Sequence, residues 1–101
     1  MMTHDKQKNA VTAKLSGELD HHSALKIREE LDALISDPNV KRLIFDMNDL
    51  YFMDSSGIGV IMGRYKTMAR RGGTVAVKTG SGHVDKIFEM SGLYQIIEKL
   101  A

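Results

Sequence analysis

Residues 52–63 read FMDSSGIGVIMG. Asp54, Ser55 and Ser56 stand directly before three glycines, Gly57, Gly59 and Gly63. Ile58, Ile61, Met62, Tyr65, Met68 and Ala69 recur at helical spacing, which predicts a helix from Ser56. Gly72-Gly73 stops it, after Arg70 and Arg71, which suit the negative end of a helix dipole. Each glycine inside a helix costs ~1 kcal/mol relative to alanine, so three in seven residues need a reason. Gly59 and Gly63 are four apart and share a face, which makes a groove. Such a groove packs against the sheet or a neighbouring helix, or stays open to a partner; we read part of it as open.

The elements on either side decide the fold class. Residues 40–47 contain the apolar run Leu43-Ile44-Phe45, the pattern of a central strand covered on both faces. Residues 48–53 lead from it into the glycine-rich segment. Residues 10–15 alternate, with Val11, Ala13 and Leu15 on one face of a strand; Ser16-Gly17 breaks it and Glu18-Leu19-Asp20 continues it after a bend. Residues 22–36 carry a stripe of Ala24, Ile27, Leu31, Leu34 and Ile35, with Asp20, His22 or Ser23 as its start and Asp37-Pro38-Asn39 as its end. Residues 74–78 read as a strand, 83–90 as a short helix with Val84, Ile87 and Phe88 inward, and 94–99 as a last strand. The first eight residues are polar and expected to fray. Strands and helices alternate, so the chain is an α/β domain with a mixed, mostly parallel sheet, helices packed on it and right-handed crossovers.

Composition narrows the function. A chain of 101 residues, 43% hydrophobic and 27% charged, suits one small soluble domain. It has no cysteine, so no disulfide or thiolate metal site, which fits a cytoplasmic protein. No apolar run approaches the ~20 residues that span a bilayer, and the N-terminus lacks the apolar core of a signal peptide. Net charge is +1 and tryptophan is absent, which argues against direct nucleic-acid binding. Residues 1–56 have seven basic and ten acidic side chains, net −3; residues 57–101 have seven and three, net +4. That asymmetry can orient a partner.

Other chemistries fit less well. GIGVIMG matches the glycine pattern of a dinucleotide site, but about eight residues separate the expected end of the preceding strand from Gly57, and Val77 occupies the region where the ribose-binding acid belongs. For a serine hydrolase, the Gly-x-Ser-x-Gly spacing is absent and no spacing singles out a base among His4, His21, His22 and His83. Glu18, Asp20, His21 and His22 lack an i, i+4 histidine pair, so they read as a polar loop and not a metal site. Arg64, Lys66, Arg70 and Arg71 read as a solvated helix face. At the helix mouth one acid or hydroxyl caps the helix, and three candidates compete. A leftover hydroxyl would face solvent at the positive helix end, where a phosphate is well tolerated. It would add about −1.5 to −2 charges beside Asp54. Whether Asp54 or Ser56 does the capping stays open.

SGELDHHSA (16–24), LYFMDSSGIGVIMGRYK (50–66) and FEMSGL (88–93) together resemble the bacterial anti-sigma factor antagonists of the STAS family, in particular those of the sporulation sigma-F pathway. The likeness runs from about residue 9 and implies a single STAS domain over 9–101. It also implies a non-enzymatic switch. The unphosphorylated antagonist binds an anti-sigma factor that is a serine kinase, and the sigma factor is released for transcription. The kinase spends ATP, so the antagonist itself needs no cofactor, to phosphorylate the serine after the aspartate, here Ser55. A PPM-type serine phosphatase reverses this. The resemblance carries partner binding onto Asp20, Asp54, Ser55, Ser56, Gly57, Ile58, Gly59 and Met62. It implies no membrane contact in that role; the alternative is a STAS subunit of a membrane transport complex. Two departures stand out: Gly82 sits where relatives often have proline, and relatives commonly continue into a terminal helix.

Overall fold

The computed structural model describes residues 1–80 and 82–100. Five strands and three helices alternate: β1 Met2–Gln7, β2 Ala10–Leu19, α1 Ala24–Leu34, β3 Arg42–Met53, α2 Ser55–Arg70, β4 Thr74–Lys78, α3 His83–Met90 and β5 Glu98–Leu100, with a 3₁₀ turn, Leu93–Gln95, before β5. The sheet order is β1-β2-β3-β4-β5. β1 is antiparallel to β2, and all other neighbours are parallel. The expected α/β domain with a mixed, mostly parallel sheet is therefore present.

Each parallel crossover steps one strand further in the same direction. Right-handed crossovers of that kind put all three helices on one face of the sheet. Burial agrees. Val11, Ala13, Leu15 and Leu19 of β2 and Leu43, Phe45, Met47 and Met53 of β3 are buried against Ile27 and Leu31 of α1, Val60, Ile61 and Met68 of α2, and Phe88 of α3. The other face, with Lys14, Arg42 and Asp46, is left to solvent. Ile44 lies on that face and is only half-buried, so the apolar run 43–45 is covered on one side and not on two.

The N-terminus corrects the sequence reading. Residues 1–8 do not fray: Met2–Gln7 form an edge strand in register with β2, from Met2 opposite Leu15 to Gln7 opposite Ala10. A two-residue turn joins them, with Lys8 at φ 55°. The side chains of residues 3–7 are exposed on both faces, so no apolar alternation marks the strand. Hydrogen bonds hold it, including Ser16 N to Met1 O at 2.9 Å, and Lys6 reaches Asp37 at 3.2 Å.

β3 is also longer than expected. Residues 48–53 continue it alongside Ser16 to Leu19, because β2 shifts register around Ser16 and Gly17 and both strands carry on past the bend. Gly17, at φ 83°, makes that bend. The last strand begins later than expected. Gly92, at φ 81°, ends α3 in the left-handed region, and the chain makes a 3₁₀ turn that buries Leu93 before Ile97 is buried in turn.

Candidate functional site

The parallel strands deliver the site. The C-terminal ends of β2 and β3 lie side by side, with Leu19 opposite Met53, and the next residues are Asp20 and Asp54. Asp54 is extended, at φ −116° and ψ −169°, and its Oδ1 accepts from Ser56 N at 2.8 Å. That is N-cap geometry, so Asp54, not Ser56, caps α2. Its Oδ2 accepts from His21 N at 3.2 Å, which ties the β2–α1 loop to the mouth of α2.

Asp20 organises the turn that leads into α1, whose N-cap is Ser23 without a side-chain capping bond. Its Oδ1 accepts from His22 N at 2.9 Å and Ser23 N at 3.1 Å, and its carbonyl accepts from Ala24 N. Burial pushes the Asp20 carboxyl up, but the N–H groups of Ser23 and His22 outweigh that and hold it below the ordinary aspartate value. Ser23 Oγ donates to Glu18 O at 3.0 Å. The turn that enters α1 and the capped mouth of α2 thus share one rim.

Ser55 is the first residue of α2 and is exposed, while Ser56 is half-buried. Gly57 corrects an expectation. It is buried, and a Cβ there would meet Met53 Cγ and, at 2.9 Å, Leu19 O. Gly57 therefore brings α2 down onto the two strands and does not face a partner. Gly59 is exposed, and a Cβ on it or on Gly63 would meet nothing within 4 Å. Ile58 and Met62 are half-buried. The separation used against a dinucleotide site is also corrected, since β3 ends at Met53, close to Gly57. The tight turn is there, but it serves helix–strand packing.

Sequence reasoning missed part of the surroundings. Phe52 is 37% exposed and stacks on His83, centroids 5.2 Å apart, and His83 Nε2 donates to Met53 O at 3.2 Å. Tyr51 OH donates to Glu18 Oε1 at 2.9 Å, and that bond pushes the phenol pKa up. On the other side, α1 and α2 border a groove of about 320 Å³ that includes His21, Leu25, Arg28, Ser56 and Gly59. Leu25 lies off the apolar stripe of α1, and that was the signal available. Arg64 and Arg71 are not part of a solvated face. Arg64 is buried beside Asp32, and Arg71 Nη1 donates to Asp37 O and Val40 O.

A STAS domain model matches residues 2–101. An anti-sigma F factor antagonist of Paenibacillus polymyxa is 39% identical over 90 residues, covering 89% of this chain and 77% of that protein. The chain belongs to the STAS family of anti-sigma factor antagonists. The STAS match begins at residue 2, so β1 is part of the domain and the expected boundary at residue 9 is too late. Two solved structures of SpoIIAA are also similar. The unphosphorylated form shares 26% identity with a TM-score of 0.79, covering 100% of this STAS chain and 88% of that one. The phosphorylated Bacillus form shares 29% identity with a TM-score of 0.78, covering 100% and 92%. No helix among the described residues of this STAS domain is long and apolar enough to cross a membrane.

Proposed function

We propose that this STAS domain is an anti-sigma factor antagonist that works as a phosphorylation switch. In the unphosphorylated form the rim formed by Asp20, Asp54 to Ile58, Gly59 and Met62 docks on an anti-sigma factor serine kinase, with Gly57 supporting the rim from beneath. The sigma factor is thereby freed. The kinase then moves the γ-phosphoryl group of ATP onto Ser55 Oγ, the hydroxyl proton leaves, and ADP is released. A PPM-type serine phosphatase hydrolyses the ester.

One observation carries this reading. Asp54 takes the capping bond of α2, so the exposed Ser55 hydroxyl at the positive end of a 16-residue helix is spared for modification. The names of the similar proteins support the partner class. A dianionic ester on Ser55 would stand beside the Asp54 carboxylate and put its charge and hydration where an apolar surface must sit over Ile58 and Met62. Mass spectrometry after incubation with the anti-sigma factor kinase of the same organism and ATP tests the assignment. Phosphate on Ser55 alone, abolished in Ser55→Ala, is expected; phosphate on Ser56 overturns it.

A further inference from the structure

The groove between α1 and α2 opens on the same rim, since Ser56 and Gly59 line it together with His21, Leu25 and Arg28. Leu25 is 57% exposed and borders this groove. Gly59 lines the same groove, and its absent side chain leaves the α2 backbone open to close approach. An apolar side chain and a bare stretch of backbone in one groove make a seat for one apolar side chain of a partner.

Further along the same pair of helices lies a buried arginine. Arg64 Nε lies 3.1 Å from Asp32 Oδ1 without the alignment of a hydrogen bond, and its buried Nη1 has no acceptor among the described residues. Buried polar groups are nearly always bonded, so a guanidinium with two unbonded nitrogens is unusual. Arg28 stands close enough to act on Arg64 as a like charge. Among the described residues no carboxylate comes within ion-pair distance of Arg28, and Asp32 pairs with Arg64. Arg28 is the exposed, unpaired positive charge beside the groove. A carboxylate is the complementary group.

We propose that the α1/α2 groove is a second contact zone for the same anti-sigma factor kinase, which seats an apolar side chain between Leu25 and Gly59 and pairs an acidic side chain with Arg28. This rests on the docking function proposed above. Its place beside Ser56 makes one continuous surface from the phosphorylation site to the middle of α1. The exposed leucine and the unpaired arginine then have a common purpose.

The test uses the purified anti-sigma factor kinase of the same organism and the full chain, with affinity measured by calorimetry. Leu25→Gln and Arg28→Gln each should weaken binding by about tenfold or more, the loss of one good contact. Lys26→Gln serves as control. It removes the same charge from the same helix, but Lys26 faces the groove beside Met1 and Met2. All three positions are exposed, and circular dichroism should show unchanged melting. Wild-type affinity in Arg28→Gln or Leu25→Gln overturns the inference, as does an equal loss in Lys26→Gln, which would mean bulk charge alone. Ser55→Asp separates the two ideas. If it binds as tightly as wild type while the groove variants lose affinity, the phosphorylation switch fails and the groove stands. If Ser55→Asp loses affinity and the groove variants do not, the switch stands and the groove fails. An unmodified wild-type chain that does not bind the kinase overturns both.

Discussion

Asp54 uses both oxygens of its carboxylate, one for its own helix and one for the loop of another. Removing a cap costs ~1 kcal/mol, and the second bond adds about 1 kcal/mol. Asp54→Ala should therefore lose about 2 kcal/mol in urea unfolding. Asp54→Asn, which keeps one acceptor oxygen, should lose less. Three adjacent cap formers made the choice among them unreadable from spacing; the extended backbone at Asp54 makes it. The glycines divide in the same way. Gly57→Ala forces a Cβ against Leu19 O, a backbone atom that cannot step aside, and should cost about 1–3 kcal/mol. Gly59→Ala meets nothing and should gain up to ~1 kcal/mol of helix stability while weakening kinase binding. Equal effects on stability from the two substitutions would refute this division. The sequence showed three glycines in one helix, but which of them supports the fold and which opens the surface depends on strands far away in the chain.

At the scale of elements, periodicity revealed the helices, α1 through Ile27 and Leu31 and α3 through Val84 and Phe88, because each has one wet and one dry side. It failed for β1, which has no dry side beyond Met2. It also failed for the second half of β3, where Asp49, Tyr51 and Phe52 are exposed and only pairing with β2 declares a strand. The far end of the sheet is fastened by a polar cluster that no motif announced. Asp85 Oδ1 accepts from Tyr94 OH, from Lys99 Nζ at 2.9 Å and from Thr79 Oγ1 at 3.0 Å, linking α3, the residue after β4, the 3₁₀ turn and β5. Those partners, Tyr94 first and then Lys99 and Thr79, bring the Asp85 pKa down from 3.8 to about 2. Its folded value is the lower one. The stabilisation is thus fully present above pH 3.8 and is lost as pH falls through 2. Chemical denaturation between pH 4.5 and 2, at intervals of about half a unit, should show wild type losing stability that Asp85→Asn has already lost. A mutant with the same pH slope as wild type would show that the cluster contributes nothing to folding.

At the scale of the whole molecule, three crossovers in one direction gather the helices on one face and bring the ends of β2 and β3 together. The rim is therefore built by topology, and its residues lie more than thirty positions apart in the chain. The Cα radius of gyration is 12.2 Å, close to the ~13 Å of a compact hundred-residue domain. Ser55→Asp should leave that size unchanged in small-angle scattering; swelling by about 10–20%, the mark of a loosened interior, would contradict a surface-only effect. The mouth of α2 is already held by Asp54 from two sides and by Gly57 from below. A phosphoryl group on Ser55 then changes the potential over the rim and little of its shape. In the proposed switch no segment would have to melt or refold between the two states, so its clock would be set by making and hydrolysing one ester bond, and the chain would return to use without folding anew.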